Sequence, residues 1–335
     1  MMPAKKMTKL GYQMRFYRTL RAANRRYSPA HDMAAHPFPA VIQLQTINAC
    51  NASCVMCPYP LFKKQFPRGR MDDALFDKVA AEIAERPEVD TFVPMLQNEP
   101  FLDKHLFDRI ARFKQLTRGR VTVELVTNGA FLTAEAIERI RDVELDVLDI
   151  SLDAVSKETY ERIRVGLDYD EVIAGVERVI AARLPNTSLF VRMVKLRDNA
   201  HEVKRFADRW RSLGVPVFIY TANNRVGALP EFDERLRLSR EQVSPLQRIG
   251  RRAARAWLGH CPAPFATTDI LHDGSVLLCA HDWARKEVLG NLRDQTLAEI
   301  WNGPRLREIR AAVHRREYAS LPACRDCSLW KDGWV

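Results

Sequence analysis

Seven cysteines divide along this 335-residue chain into a three and a four. Cys50, Cys54 and Cys57 form a C-x3-C-x2-C run, and no further thiol occurs before Cys261, Cys279, Cys324 and Cys327. Thiolate sulfur is a soft ligand that suits iron–sulfur clusters and zinc. A three-thiolate site leaves one metal position open to a substrate or cofactor, whereas four thiolates close the coordination sphere and suit electron transfer or structure. The division therefore predicts one reactive site and one supporting site. The spacing alone leaves two plainer readings open: zinc, which the paired C-terminal spacing would suit, and buried core thiols in place of the triad.

The elements that must position these residues follow from hydrophobic period. The β-rich stretch 40–47 leads into Asn48, Asn51 and small residues, so the triad hangs from the loop after a first strand. Amphipathic and strand-like stretches then alternate: 72–86 before 91–96, 102–116 before 121–126, 133–141 before 147–151, 169–182 before 189–194, and 200–213 before 215–220. Six strands with crossover helices predict an α/β fold, a parallel sheet curled into a partial (β/α)6 TIM-type barrel. Ligands of such folds lie at the carboxyl ends of the strands. Further on, Asp273-Gly274 reads as a hairpin turn between 267–271 and 275–278, and helical stretches follow at 297–301 and 306–313.

The expected strand ends carry a recognisable series: Gln97-Asn98-Glu99-Pro100, Thr127-Asn128-Gly129, Ser151-Leu152-Asp153, then Tyr160 through Arg164. With the C-x3-C-x2-C loop, this series resembles the radical S-adenosylmethionine (SAM) superfamily over roughly residues 40–222. The resemblance implies that Cys50, Cys54 and Cys57 ligate three irons of a 4Fe-4S cluster, leaving the fourth to the amino and carboxylate groups of SAM. It implies that Asn98 and Glu99 stand in the segment that grips the SAM amino group, with Asn98 where the family usually has glycine. Asn128 would lie near the cofactor, and Ser151 and Arg164 would help hold its ribose and carboxylate. The quartet, read as C-x12-G-x4-C followed by C-x2-C, resembles the SPASM and shorter Twitch extensions of that superfamily. One auxiliary 4Fe-4S cluster on Cys261, Cys279, Cys324 and Cys327 is implied, because no cysteine follows to build a second.

In that superfamily a reduced cluster splits SAM into methionine and a 5'-deoxyadenosyl radical, which abstracts hydrogen from a substrate C-H bond. Three plus four leaves no spare thiol to return a hydrogen atom, so epimerisation is disfavoured. The expected reaction is a net two-electron oxidation of a small metabolite such as a sugar or aminocyclitol, with the auxiliary cluster as electron acceptor. His281 and Asp282 follow Cys279 and are the candidates for a base, though both could equally pack around the auxiliary loop. The alternatives are a maturase modifying a ribosomal peptide, a redox-neutral dehydratase or epimerase, and a zinc protein binding nucleic acid.

Composition bounds the setting. The chain carries a net charge of +10 and is 47% hydrophobic, enough for one large core with a small appendage. Domain organisation is expected as a basic N-terminal arm (1–39), a core barrel (40–222), a connector (223–256) and an α+β auxiliary-cluster domain (257–335). The arm over 5–26 could dock on nucleic acid, an acidic partner or the barrel itself. Nucleic acid is not expected without an added RNA-binding module. The arginines of 248–255 and 305–316 would suit an anionic substrate or an acidic electron donor of flavodoxin or ferredoxin type. No apolar run approaches a membrane span and the N-terminus lacks a signal peptide's apolar stretch, which predicts a cytoplasmic setting that keeps thiols reduced.

Overall fold

The computed structural model describes residues 7–26, 38–66 and 68–329. After a first helix, α1 (Lys9–Arg26), six strands run parallel and in sequence order: β1 (Val41–Leu44), β2 (Thr91–Val93), β3 (Thr122–Thr127), β4 (Val147–Ser151), β5 (Ser188–Lys195) and β6 (Val217–Thr221). Between β1 and β2 lie α2 (Tyr59–Phe62) and α3 (Asp73–Ala84), and α4 (Leu106–Leu116) and α5 (Ala134–Asp142) follow β2 and β3. Next come α6 (Lys157–Ile163) and α7 (Tyr169–Ala182) after β4, then α8 (Val203–Ser212) after β5. The partial barrel expected from the helix and strand periods is present, and its sheet stays open.

Local chemistry sets the helix starts. Asp72, Thr133, Ser156 and Asp168 each place a side-chain oxygen on a first-turn amide, satisfying donors that the helix itself leaves unpaired. Strand alternation then sorts the core. Leu148, Ile150, Val191 and Met193 share a buried cluster with Val172, Val176, Phe206 and Trp210 of the helices. The opposite face turns Val147, Phe190 and Phe218 toward Met7 and Tyr12. The basic arm thus docks on its own barrel: the Tyr12 hydroxyl donates to Glu124 Oε2 at 2.7 Å, and Arg15 forks onto Asp90. Of the arm expected over 1–39, residues 1–6 and 27–37 lie outside the described residues, Lys5 among them.

The cysteine-rich region extends the same sheet. β7 (Thr267–Ile270) pairs in parallel with β1 and turns through Asp273-Gly274 into antiparallel β8 (Ser275–Leu277), which pairs with β9 (Val288–Asn291). Strand β9 went unforeseen, since Gly290 and Asn291 are poor strand formers and read as a helix approach. The stretch expected as a connector holds a fourteen-residue helix, α9 (Pro245–Leu258), started by a Ser244–Gln247 capping box. Further α-helices are α10 (Ala263–Ala266), α11 (Leu297–Trp301) and α12 (Pro304–His314). Among the described residues no helix is long and apolar enough to cross a membrane.

Gly274 shows how tightly this hairpin is drawn. Its φ is +92, and a Cβ there would stand 2.6 Å from Asn291 Oδ1 and 3.3 Å from Leu75 of α3. Gly274→Ala is expected to destabilise the fold by about 1–3 kcal/mol, the usual cost of such backbone strain. Urea unfolding checks this; a loss under about 0.5 kcal/mol, the scale of an ordinary surface change, would contradict it.

Candidate active site

The triad loop is pinned from three sides at the carboxyl end of the sheet. Ser53 N and Val55 N donate to the carbonyls of Val165 and Ile163 at the end of α6 and just beyond it, and Glu99 N donates to Ala49 O. Asn128 Nδ2, at the end of β3, donates to Asn51 Oδ1 at 2.8 Å. Cys54 is buried, while Cys50 and Cys57 are half-buried. Burial pushes the Cys50 thiol up to about 12, with Glu99 and the other two thiols adding to the rise, and the Cys54 thiol up to about 11 against the pull of the Arg164 charge. Such thiols stay protonated in water and ionise only against a metal, so this donor set fits an iron–sulfur group.

The other expected cofactor residues converge on the loop. Glu99 is buried, and its carboxylate accepts from Thr127 Oγ1 at 2.7 Å, Asn128 N at 2.8 Å and Phe101 N at 3.2 Å. Burial lifts its pKa to about 7 against those bonds. Asn98 takes the glycine position without strain, because the left-handed residue is its neighbour Gln97, with φ 58. Asn98 Oδ1 accepts from Leu96 N, while its Nδ2 is buried with no partner among the described residues, a donor left open beside the loop. Ser151 closes β4, side by side with Arg192 of β5. Arg164 is gripped by Asp153, Nε at 2.7 Å and Nη2 at 2.6 Å, and its Nη1 lies 3.9 Å from Cys54 Sγ. Its charge therefore faces the thiols as well as the expected carboxylate.

The quartet gathers from the start of α10, the end of β8 and the stretch after α12. All four thiols pack beside a cluster that includes Phe265, Leu278, Trp301 and Leu306. Cys261 is raised by burial and then by Cys324 and Cys327, and the Cys324 thiol is pushed up to about 12. All seven cysteines are free of disulfides. Among the described residues no three His, Cys, Asp or Glu side chains converge on the position of a single ion. Asp282 is committed to its own turn, with its oxygens accepting from Lys286 N at 3.0 Å and Glu287 N at 2.8 Å.

His281 has a partner that sequence reasoning missed. Arg225 Nη1 lies 2.8 Å from His281 Nδ1, and since guanidinium only donates, Nδ1 accepts and the ring proton belongs on Nε2. Burial, then the Arg225 charge, lowers the His281 pKa to about 3. His281 therefore presents a donor and is a weak base. Thiols of both sets, Cys57 and Cys279, act on the Arg225 charge, so it neighbours each set. Its position just past the end of β6 is the one signal that could have found it.

The sequence profile of the radical SAM superfamily matches residues 44–210, and that of an iron–sulfur cluster-binding domain, SPASM, matches residues 261–328. The S-adenosyl-L-methionine-dependent 2-deoxy-scyllo-inosamine dehydrogenase of Niallia circulans is 20% identical over 289 residues, 86% of this chain and 92% of that protein. A probable GTP 3',8-cyclase of Saccharolobus solfataricus is 29% identical over 179 residues, 52% of this chain and 54% of that protein. The matched stretch thus spans about half the length of such cyclases. BtrN, solved in complex with AdoMet and 2-DOIA, shares the fold with a TM-score of 0.59 at 18% identity, over 86% of this chain and 92% of that one.

Proposed function

Since the chain belongs to the radical SAM superfamily and carries a SPASM-type iron–sulfur domain, we propose that it oxidises a carbinol of a small polyhydroxylated metabolite, a sugar or aminocyclitol, by two electrons. The two domains imply 4Fe-4S clusters and SAM as cofactors. Cys50, Cys54 and Cys57 would hold the open-sited cluster, with Asn98, Glu99, Asn128, Ser151 and Arg164 around SAM, and the quartet would hold the closed one. When bound, these groups supply a radical able to take hydrogen from an unactivated C-H bond and an acceptor for one electron. The chain's own work is to seal the space between the thiol sets, to hold the substrate there, and to offer donors at Arg225 and His281 Nε2.

The observation that carries this reading is the extent of the dehydrogenase likeness. It runs over 86% of the chain, whereas the cyclase likeness stops at about half. An acidic flavodoxin or ferredoxin-type donor in the cytoplasm fits the net charge of +10. Anaerobically reconstituted protein with a strong reductant should form one 5'-deoxyadenosine per product. A deuterium at the abstracted position should move into it, and the product should weigh two mass units less than the unlabelled substrate. An isobaric product carrying a solvent hydrogen, or one lacking water, would replace oxidation with epimerisation or dehydration.

A further inference from the structure

The inner face of the sheet carries a layer of charge that the steps above leave unused. On β5, Val191 and Met193 pack among the helices while Phe190 packs under α1, so alternation turns Arg192 into the lumen. Asp149 shares its face with Val147, and Tyr220 shares its face with Phe218. Arg192 Nη2 bonds Asp149 Oδ2, reaches Glu124 Oε1 at 3.5 Å, and its guanidinium lies 5.5 Å from the Tyr220 ring centre.

Among the described residues two atoms of this layer have no partner: Asp149 Oδ1, on a wholly buried residue, and the buried Nε of Arg192. A buried acceptor and donor are each costly to leave unpaired, so keeping both in one place points to a ligand. The layer is not sealed around these atoms, since the Arg192 side chain is 22% exposed and Tyr220 37%. Its register beside Ser151 puts Arg192 next to the strand end expected to face SAM.

We propose that Asp149, Arg192 and Tyr220 form the substrate subsite, built for a neutral or amine-bearing polyol and against a phosphorylated one. The proposal rests on the oxidative reading above and names what its substrate carries. A hydroxyl both accepts and donates, which matches a guanidinium N-H beside a carboxylate oxygen. A phosphate only accepts, and here one guanidinium faces the two carboxylates of Glu124 and Asp149. The Tyr220 ring offers an apolar face to ring C-H groups.

The test measures equilibrium binding to holoenzyme carrying both clusters and SAM, with 2-deoxy-scyllo-inosamine and myo-inositol monophosphate as probes. The wild type should prefer the aminocyclitol by about tenfold or more. Arg192→Lys should weaken that binding by about ten- to a hundredfold, the loss of a charge-assisted bond. Because Arg192 also offsets buried carboxylates, Tyr220→Leu serves as the milder variant, removing the ring face and losing about two- to tenfold. Tighter binding of the phosphate, or aminocyclitol binding unchanged in both variants while the wild type still oxidises a polyol, overturns the subsite alone. A wild type that neither binds nor oxidises any polyol overturns the oxidative reading and this assignment with it.

Discussion

Alanine at Cys50, Cys54 and Cys57 together is expected to drop 5'-deoxyadenosine formation to background, while alanine at Cys324 and Cys327 should leave measurable cleavage. The two sets sit in different surroundings. The triad loop is tied to the ends of β3 and α6 and to Arg164, whereas the quartet packs beside Phe265 and Trp301. Removing one set should therefore leave the other's pocket standing. The same preparations give a second readout, since about eight irons per chain are expected from two four-iron clusters and about four after either deletion. Equal loss of cleavage from both deletions in soluble protein would end the division of labour. About four irons with stoichiometric zinc in the wild type would convert the quartet to a zinc site.

Much of this arrangement was legible because it repeats simple periods. The helix over 169–182 fell on its expected bounds because Asp168 caps it and Arg183 ends it in the left-handed conformation. Strand-end residues were legible as a set because a parallel sheet gathers every strand end on one side, and Glu99, Asn128 and Arg164 do meet around the triad loop. What escaped was set by tertiary contact. β9 is held by pairing with β8, and no local propensity announces it. Asn98 stands where the family usually has glycine, yet the turn takes its positive φ at Gln97, whose side-chain amide donates to Ala280 O across the molecule. His281 read as a base because it follows Cys279, and only Arg225, fifty-six positions away, fixes its proton on Nε2.

Asp153→Ala is expected to be the most destabilising single change in the barrel, costing about 3–5 kcal/mol, the range for stripping one partner from a buried ion pair. Asp153 is wholly buried, and its Oδ2 holds the Arg164 guanidinium while Oδ1 accepts from Val194 N at 2.6 Å. Alanine would leave the Arg164 charge beside Cys54 without its counter-ion and the β5 amide without its acceptor. It would also place a residue with no local hydrogen bond at φ 68, where aspartate and asparagine are tolerated best. Asp153→Asn keeps the turn and the amide bond and should lose less, whereas the double variant Asp153→Asn with Arg164→Met removes the uncompensated charge and should recover part of the loss. Recovery of stability should not restore SAM cleavage, because the cation facing Cys54 is gone. Denaturant unfolding of anaerobically prepared protein ranks the three variants; an Asp153→Ala cost below about 1 kcal/mol, or a double variant no better than the single, would show that the pair does not hold this strand end together.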